Sequence, residues 1–154
     1  MTSELLRKIA ADSNVILSAV IGKAALQIFV RPEIELITTS FNLREVEEYL
    51  PHLASKYGLD ERLLFWQFKM LPLSDFSEKY YRSHFSKAEK LLKDRDPDDI
   101  HLAALALKEG IPIWSNDKDF ENTGVVWYTT ASLLAVLESK ARVIAYGSGP
   151  ERTT

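Results

Sequence analysis

The sequence contains no cysteine, which removes disulfides, thiolate nucleophiles and zinc–thiolate sites together. It has no apolar run near the roughly 18 residues that a membrane-spanning helix needs. Residues Met1–Lys8 lack the long apolar core of a secretory signal. These absences favour the cytoplasm. Histidine is scarce, and His52, His84 and His101 fall at no metal-ligand spacing; His84 and His101 read as partly buried helix residues. There is no internal repeat, no low-complexity segment and no linker. Positive charge is not in excess either. The net charge of −3 argues against a protein that coats nucleic acid nonspecifically. It leaves room for a nucleic-acid enzyme, because clustered carboxylates lower the total themselves and a bound cation inverts the local sign.

What is present is an ordinary apolar fraction, 46 % of 154 residues, with 27 % charged. That is enough for one domain with a real core. Residues 1–146 read as a single domain and residues 147–154 as a disordered tail. Short β-rich stretches alternate with helical ones, the α/β pattern with a mainly parallel sheet. The expected strands are Arg7–Ala11, Glu35–Thr39, Ile111–Trp114 and Val125–Tyr128, with an edge strand at Arg142–Tyr146. Val15–Ile21 is β-branched and could extend the first strand, but Ser13 or Asn14 can cap a helix there, and a turn of helix after Asp12 is the favoured reading. Lys23–Val30 alternates helically. Ser40 or Asn42 is expected to cap the next helix, in which Leu43, Val46, Tyr49 and Leu50 recur at helical steps. Pro51 should kink or restart it, and Gly58 should end it. Asp60 caps the apolar helix Glu61–Lys69. Met70–Leu73 reads as extended, with Ser74 or Asp75 capping a long helix from Phe76 to about Leu92. A last helix is expected from Thr130 to Ser139.

The organising stretch is Asp94-Arg95-Asp96-Pro97-Asp98-Asp99, which runs directly into Ile100-His101-Leu102-Ala103-Ala104-Leu105-Ala106-Leu107. It reads as a helix N-terminus loaded with acids. Gly110, the short strand and a second acidic cluster, Ser115-Asn116-Asp117-Lys118-Asp119-Phe120, follow. Asp12 ends the first strand, and Glu45 lies early in the helix after the second. In a parallel sheet Asp12, Glu45, Asp99 and Asp117 can all belong to one edge. Carboxylates crowded together resist ionising, and such clusters serve proton chemistry or hard cations with oxygen ligands.

Four segments carry a resemblance. Asp12-Ser13-Asn14-Val15-Ile16-Leu17-Ser18-Ala19 resembles the opening motif of PIN domains. Arg44-Glu45-Val46-Glu47-Glu48-Tyr49 resembles their second acidic motif, Asp96-Pro97-Asp98-Asp99 with the alanine-rich helix their third, and Trp114-Ser115-Asn116-Asp117-Lys118-Asp119-Phe120 their fourth. The motifs stand in family order from about residue 8 to 128. The resemblance implies a PIN-like three-layer α/β/α fold and a Mg²⁺- or Mn²⁺-dependent nuclease acting on RNA. The expected setting is the toxin half of a VapC-type toxin–antitoxin pair, with an antitoxin partner. It implies Asp12, Glu45, Asp99 and Asp117 as metal-binding and catalytic acids. Asp96 and Asp119 become supporting acids, with Asp119 a possible fifth ligand, and Asn14 and Ser115 become hydrogen-bonding groups behind the ligands. Arg95 and Lys118 sit inside the motifs and are the candidates for phosphate contact.

Plainer readings stand beside these. Asp12 can be a helix cap. Glu47 and Glu48 compete with Glu45. Asp98 is the acid best placed to complement the helix dipole, and Asp117 with Asp119 can form a turn. Lys79, Arg82, Lys87, Lys90, Lys93 and Arg95 form either a solvated stripe or a phosphate track. Phe65, Trp66, Phe68, Tyr80, Tyr81 and Phe85 read as core or homodimer interface, and the apolar helices between Leu50 and Leu73 could serve for dimerisation. The rival to the nuclease is a catalytically weak PIN-fold module that binds RNA or protein. A receiver-like phospho-acceptor domain is disfavoured, because Asp12-Ser13 breaks the acidic pair that fold requires.

Overall fold

The computed structural model of the chain describes residues 6–139. Arg142–Tyr146 and the tail 147–154 lie outside the described residues. Among the described residues five strands form one parallel sheet: β1 (Lys8–Ala11), β2 (Glu35–Thr39), β3 (Ser74–Phe76), β4 (Ile113–Trp114) and β5 (Trp127–Tyr128). Their spatial order is β3-β2-β1-β4-β5. The chain therefore builds outward from β1 in both directions, and the strand order reverses between β1 and β4.

Strands buried on both faces carry apolar side chains at successive positions, and these sort by the two-residue pleat. Ile9, Ala11, Leu36 and Trp114 face one layer, while Ala10, Ile37 and Ile113 face the other. The first layer holds α1 (Ser13–Val20), α2 (Ala25–Phe29), α3 (Ser40–Tyr57), α4 (Glu61–Met70) and α8 (residues 130–139). The second holds α5 (Glu78–Tyr81), α6 (Phe85–Leu91) and α7 (Asp99–Glu109). The three-layer α/β/α expectation is met.

Local expectations fared unevenly. β2 has the expected bounds, and Gly58 and Gly110 end α3 and α7 in the left-handed conformation at φ 63° and 67°, which glycine adopts without steric cost. Val15–Val20 is helical despite its β-branching. Asp12, rather than Ser13 or Asn14, caps it, accepting from the Ser13 N–H. Thr39, rather than Ser40 or Asn42, caps α3, its side chain accepting from the Asn42 N–H.

α3 runs through Pro51 without interruption. Pro51 is exposed, so water can take the carbonyl that its missing N–H leaves free. The long helix expected over Phe76–Leu92 is instead a strand, two short helices and a 3₁₀ turn at Arg82–His84. Ser74–Phe76 pairs with Ile37–Thr39 at the sheet edge, a pairing that two polar residues do not advertise locally. The tightened turn lets both the Tyr81 and Phe85 rings reach His101, at centroid distances of 5.9 and 5.0 Å. The basic residues expected on one helix therefore sit on several elements, and all are exposed.

An interior helical proline costs about 3 kcal/mol relative to alanine, partly offset by the entropy it removes from the unfolded chain. Pro51→Ala is expected to raise stability by about 1–2 kcal/mol in urea unfolding. A loss of stability would show that the ring makes a contact the helix needs.

Candidate metal centre

Ligand sites in open parallel sheets lie outside the carboxyl ends of the strands, where the strand order reverses. Here that crevice lies beyond β1 and β4. The Asp12 N–H donates to the Trp114 carbonyl at 2.9 Å, which sets the end of β1 against the Ser115–Phe120 segment. Asp12 is 7 % exposed, and its carboxylate is held by four donors. The Ser13 N–H (2.8 Å) and the Asn42 side-chain amide (3.3 Å) reach Oδ1. The Ser115 hydroxyl (2.8 Å) and the Asn14 side-chain amide (3.2 Å) reach Oδ2. Burial still pushes the Asp12 pKa up against the hydrogen bonds that favour the charged form, and Asp117 adds to the rise. Asp12 is thus both the expected cap and part of the acidic site.

The second half of the site is less well served. Asp99 opens α7 and is 8 % exposed. Its Oδ2 is buried with no hydrogen-bond partner among the described residues. Asp99, Asp117 and Asp119 each offer a carboxylate oxygen, and these lie within 4.8 Å of one another. Burial first, and then the charges of Asp12, Asp117, Asp119 and Asp96, push the Asp99 pKa up to about 8. Asp117 also caps the 3₁₀ turn Lys118–Phe120 by accepting from the Asp119 N–H at 3.0 Å, so the turn reading and the cluster reading both hold. An acid with an orphaned buried oxygen, grouped with two more carboxylates, offers the oxygen ligands that a hard divalent cation takes, and such a cation fits this set.

Glu45 is half-buried on α3 and accepts the Ser13 hydroxyl at 2.8 Å. Burial, followed by the charges of Asp98, Asp12 and Asp96, raises its pKa. Glu47 and Glu48 are exposed, which places Glu45 as the α3 acid beside Asp12. Asp96 is exposed, and its carboxylate accepts from the Asp98 N–H at 3.0 Å. It thus provides the Asx turn before α7, while Asp98 occupies the cap position without a side-chain cap bond.

The Asn14 side-chain amide donates to the Ser115 hydroxyl at 3.0 Å. The Ser115 hydroxyl also receives the Asp117 N–H at 3.0 Å. Arg95 donates to the Glu121 carbonyl at 3.0 Å and Lys118 is exposed. These two cations sit on the loops that carry the acids.

A protein-family profile described as PIN domain matches residues 11–138. The chain belongs to the PIN domain family. Among solved structures, this PIN domain is similar to VapBC2 from Rickettsia felis bound to a DNA fragment from their promoter. The TM-score is 0.58 at 14 % identity, over 79 % of this chain and 98 % of that one. It is also similar to FitAB bound to an IR36 DNA fragment, with a TM-score of 0.56 at 17 % identity, over 79 % and 94 %. At such identities the likeness is one of fold. No curated protein sequence matches the chain significantly.

Some polar residues of the site carried no role in the sequence reading. Asn42 enters it only as a candidate cap, and Ser13 as a candidate cap and a member of the opening motif with no role assigned. Asn116 donates its N–H to the Asn14 side-chain oxygen at 3.1 Å, and its own side-chain oxygen accepts the Thr130 N–H at 2.8 Å. The available signal was spacing: Asn42 precedes Glu45 by three residues and so shares its helix face.

A carboxyl whose pKa rises on folding holds more protons folded than unfolded. The contribution of Asp99 to stability is therefore full below its ordinary value of 3.8 and is lost as pH climbs through about 8. The metal-free PIN domain should melt at progressively lower temperature between about pH 4 and 8, and the profile should level off above that. This one group sets a limiting slope of about 1.4 kcal/mol per pH unit. Asp99→Asn should flatten that slope. Mn²⁺ should restore the wild-type melting temperature at pH 8 but not change that of the variant. A flat wild-type profile, or an equal Mn²⁺ response in both proteins, would contradict the assignment.

Proposed function

We propose that this PIN domain is a metal-dependent endoribonuclease that hydrolyses RNA phosphodiester bonds. The observation that carries this reading is Asp99, which has a buried oxygen with no partner among the described residues and is grouped with Asp117 and Asp119 at the reversal point of the sheet. Asp99, Asp117 and Asp119 would hold Mg²⁺ or Mn²⁺, with Asp12 and Glu45 completing the acidic rim and Asp96 supporting it. A bound divalent ion supplies a water of lowered pKa and neutralises charge on the phosphate.

The chain's own residues do the rest. The four donors around Asp12 favour the charged form of its carboxylate against the effect of burial and fix its orientation. The Ser115 hydroxyl accepts the Asp117 N–H while donating to Asp12, so one side chain ties the two acids together. Arg95 and Lys118 would meet the substrate phosphates on either side of the acids. The reading requires no side-chain nucleophile.

The biological setting we infer is the toxin half of a toxin–antitoxin pair. The likeness of fold to VapBC2 and FitAB supports it. So do Val30, Leu59, Leu63, Trp66 and Met70, which leave an exposed apolar face around α4 of the kind a protein partner covers. No helix among the described residues is long and apolar enough to cross a membrane.

Incubation with a mixed single-stranded RNA pool, with and without Mn²⁺, tests the activity. Cleavage should require the metal. Asp12→Asn and Asp117→Asn should each reduce it by more than about 100-fold, beyond the 10- to 100-fold that losing an outer-shell partner costs. Metal-independent cutting, or full activity in Asp117→Asn, would refute the mechanism. RNA retained but uncut in the presence of Mn²⁺ would leave a binding module.

A further inference from the structure

Asn42 is 1 % exposed and lies one helical turn before Glu45. Its amide is oriented from behind: the Thr39 hydroxyl donates to Oδ1 at 2.5 Å and accepts the Asn42 backbone N–H at 2.9 Å. Thr39 is itself fully buried and caps α3. With Oδ1 committed to a donor, the NH₂ group must face the acids. Nδ2 donates to the Ser13 hydroxyl at 2.8 Å, with Asp12 Oδ1 at 3.3 Å and Glu45 Oε1 at 3.5 Å. The Ser13 hydroxyl, receiving that proton, gives its own to Glu45 at 2.8 Å. One neutral amide thus links an acid at the end of β1 to an acid on α3.

Those two carboxylates repel each other, and nothing covalent holds their elements together at this point. We propose that Asn42 is a positioning residue that yokes Asp12 to Glu45 and so fixes the spacing of the acids around a divalent cation. The inference rests on the metal reading above and adds to it the residue that sets the cation's affinity.

Neutrality is the chemical point. A lysine or arginine at this position could also bridge the two acids, but its charge would cancel the field that attracts the cation. An amide supplies donors and leaves both negative charges in place. Ser13 is the second half of the yoke, since an NH₂ group has only two protons and Glu45 is reached chiefly through the serine hydroxyl.

The test is Mn²⁺ affinity of the full chain without RNA, measured by calorimetry and by the paramagnetic resonance of free Mn²⁺, with circular dichroism as the folding control. Asn42→Ala should weaken binding 10- to 100-fold, the usual cost of losing a group that orients a ligand. Ser13→Ala, at a half-buried position that spares the Thr39–Asn42 pair, should weaken it by severalfold. The double variant should be no weaker than Asn42→Ala alone, because residues in one network are not additive. Should Asn42→Ala not fold, Ser13→Ala decides alone, and unchanged affinity there overturns the yoke. Unchanged affinity in folded Asn42→Ala, or losses that multiply in the double variant, overturns it too. Wild type that binds no Mn²⁺ overturns the metal reading together with this inference. Wild type that binds, with unaffected variants, overturns this inference only.

Discussion

Like charges taken out of water together constrain this structure more than any other feature. Asp12 and Asp99 are buried, and Asp117 and Asp119 stand beside Asp99. Burial and the charges of neighbouring acids both oppose the ionisation of Asp12 and Asp99. A flexible chain would relieve the strain by moving the acids apart. This one cannot, because each acid is fixed to a separate rigid element. Asp12 is the cap of α1, Asp99 opens α7, and Asp117 follows β4 and caps a turn. The two cores on either face of the sheet hold those elements in place, so the repulsion is carried by apolar burial far from the acids.

The polar scaffold is distributed unequally, and the inequality is informative. Asp12 has donors on both oxygens, while Asp99 has an oxygen with none among the described residues. If the cluster were only a capping device, both acids would be expected to find backbone or side-chain donors, because an unmet buried acceptor costs on the order of 1–3 kcal/mol. Asp117 and Asp119 make the deficit worse, since they bring more acceptors and no donors to Asp99. A bound cation would resolve it in one step by supplying the charge and the ligand contacts that the protein withholds. In the metal-free chain the proton is the substitute, and it holds the Asp99 carboxyl neutral up to about pH 8.

The parts legible in the sequence were those with strong local determinants. Glycines requiring φ > 0 marked the ends of α3 and α7. The continuous apolar strands announced burial on both faces, and the acidic runs at element boundaries placed the site. The misses were tertiary. Ser74–Phe76 is a strand only because β2 offers an edge to pair with, and no pattern in three residues can signal that. The break at Arg82–His84 follows from aromatic packing on His101, a residue on another helix. Pro51 was expected to disturb α3, but exposure rather than propensity decides whether the lost donor matters. Asn42 and Ser13 were read as caps because their short side chains suit that role. Their bonds to the acids depend on β1 and α3 meeting, which residue spacing alone does not state.

The overall charge then bears on how the site would work. The substrate in the proposed reaction is a polyanion, and the site facing it is a cluster of carboxylates in a chain of net charge −3. Arg95 already donates to the Glu121 carbonyl, so its guanidinium is oriented but partly engaged, and Lys118 is exposed and solvated. Two surface cations give little attraction at physiological ionic strength. Without a metal the acids would repel phosphate; with one, the local sign reverses. Substrate binding and cation binding would therefore favour each other by the same free energy, since such coupling is reciprocal. In the proposed reaction the carboxylates would select against the polyanion until the ion arrived, and the residues that fix their spacing would govern substrate affinity as well as metal affinity.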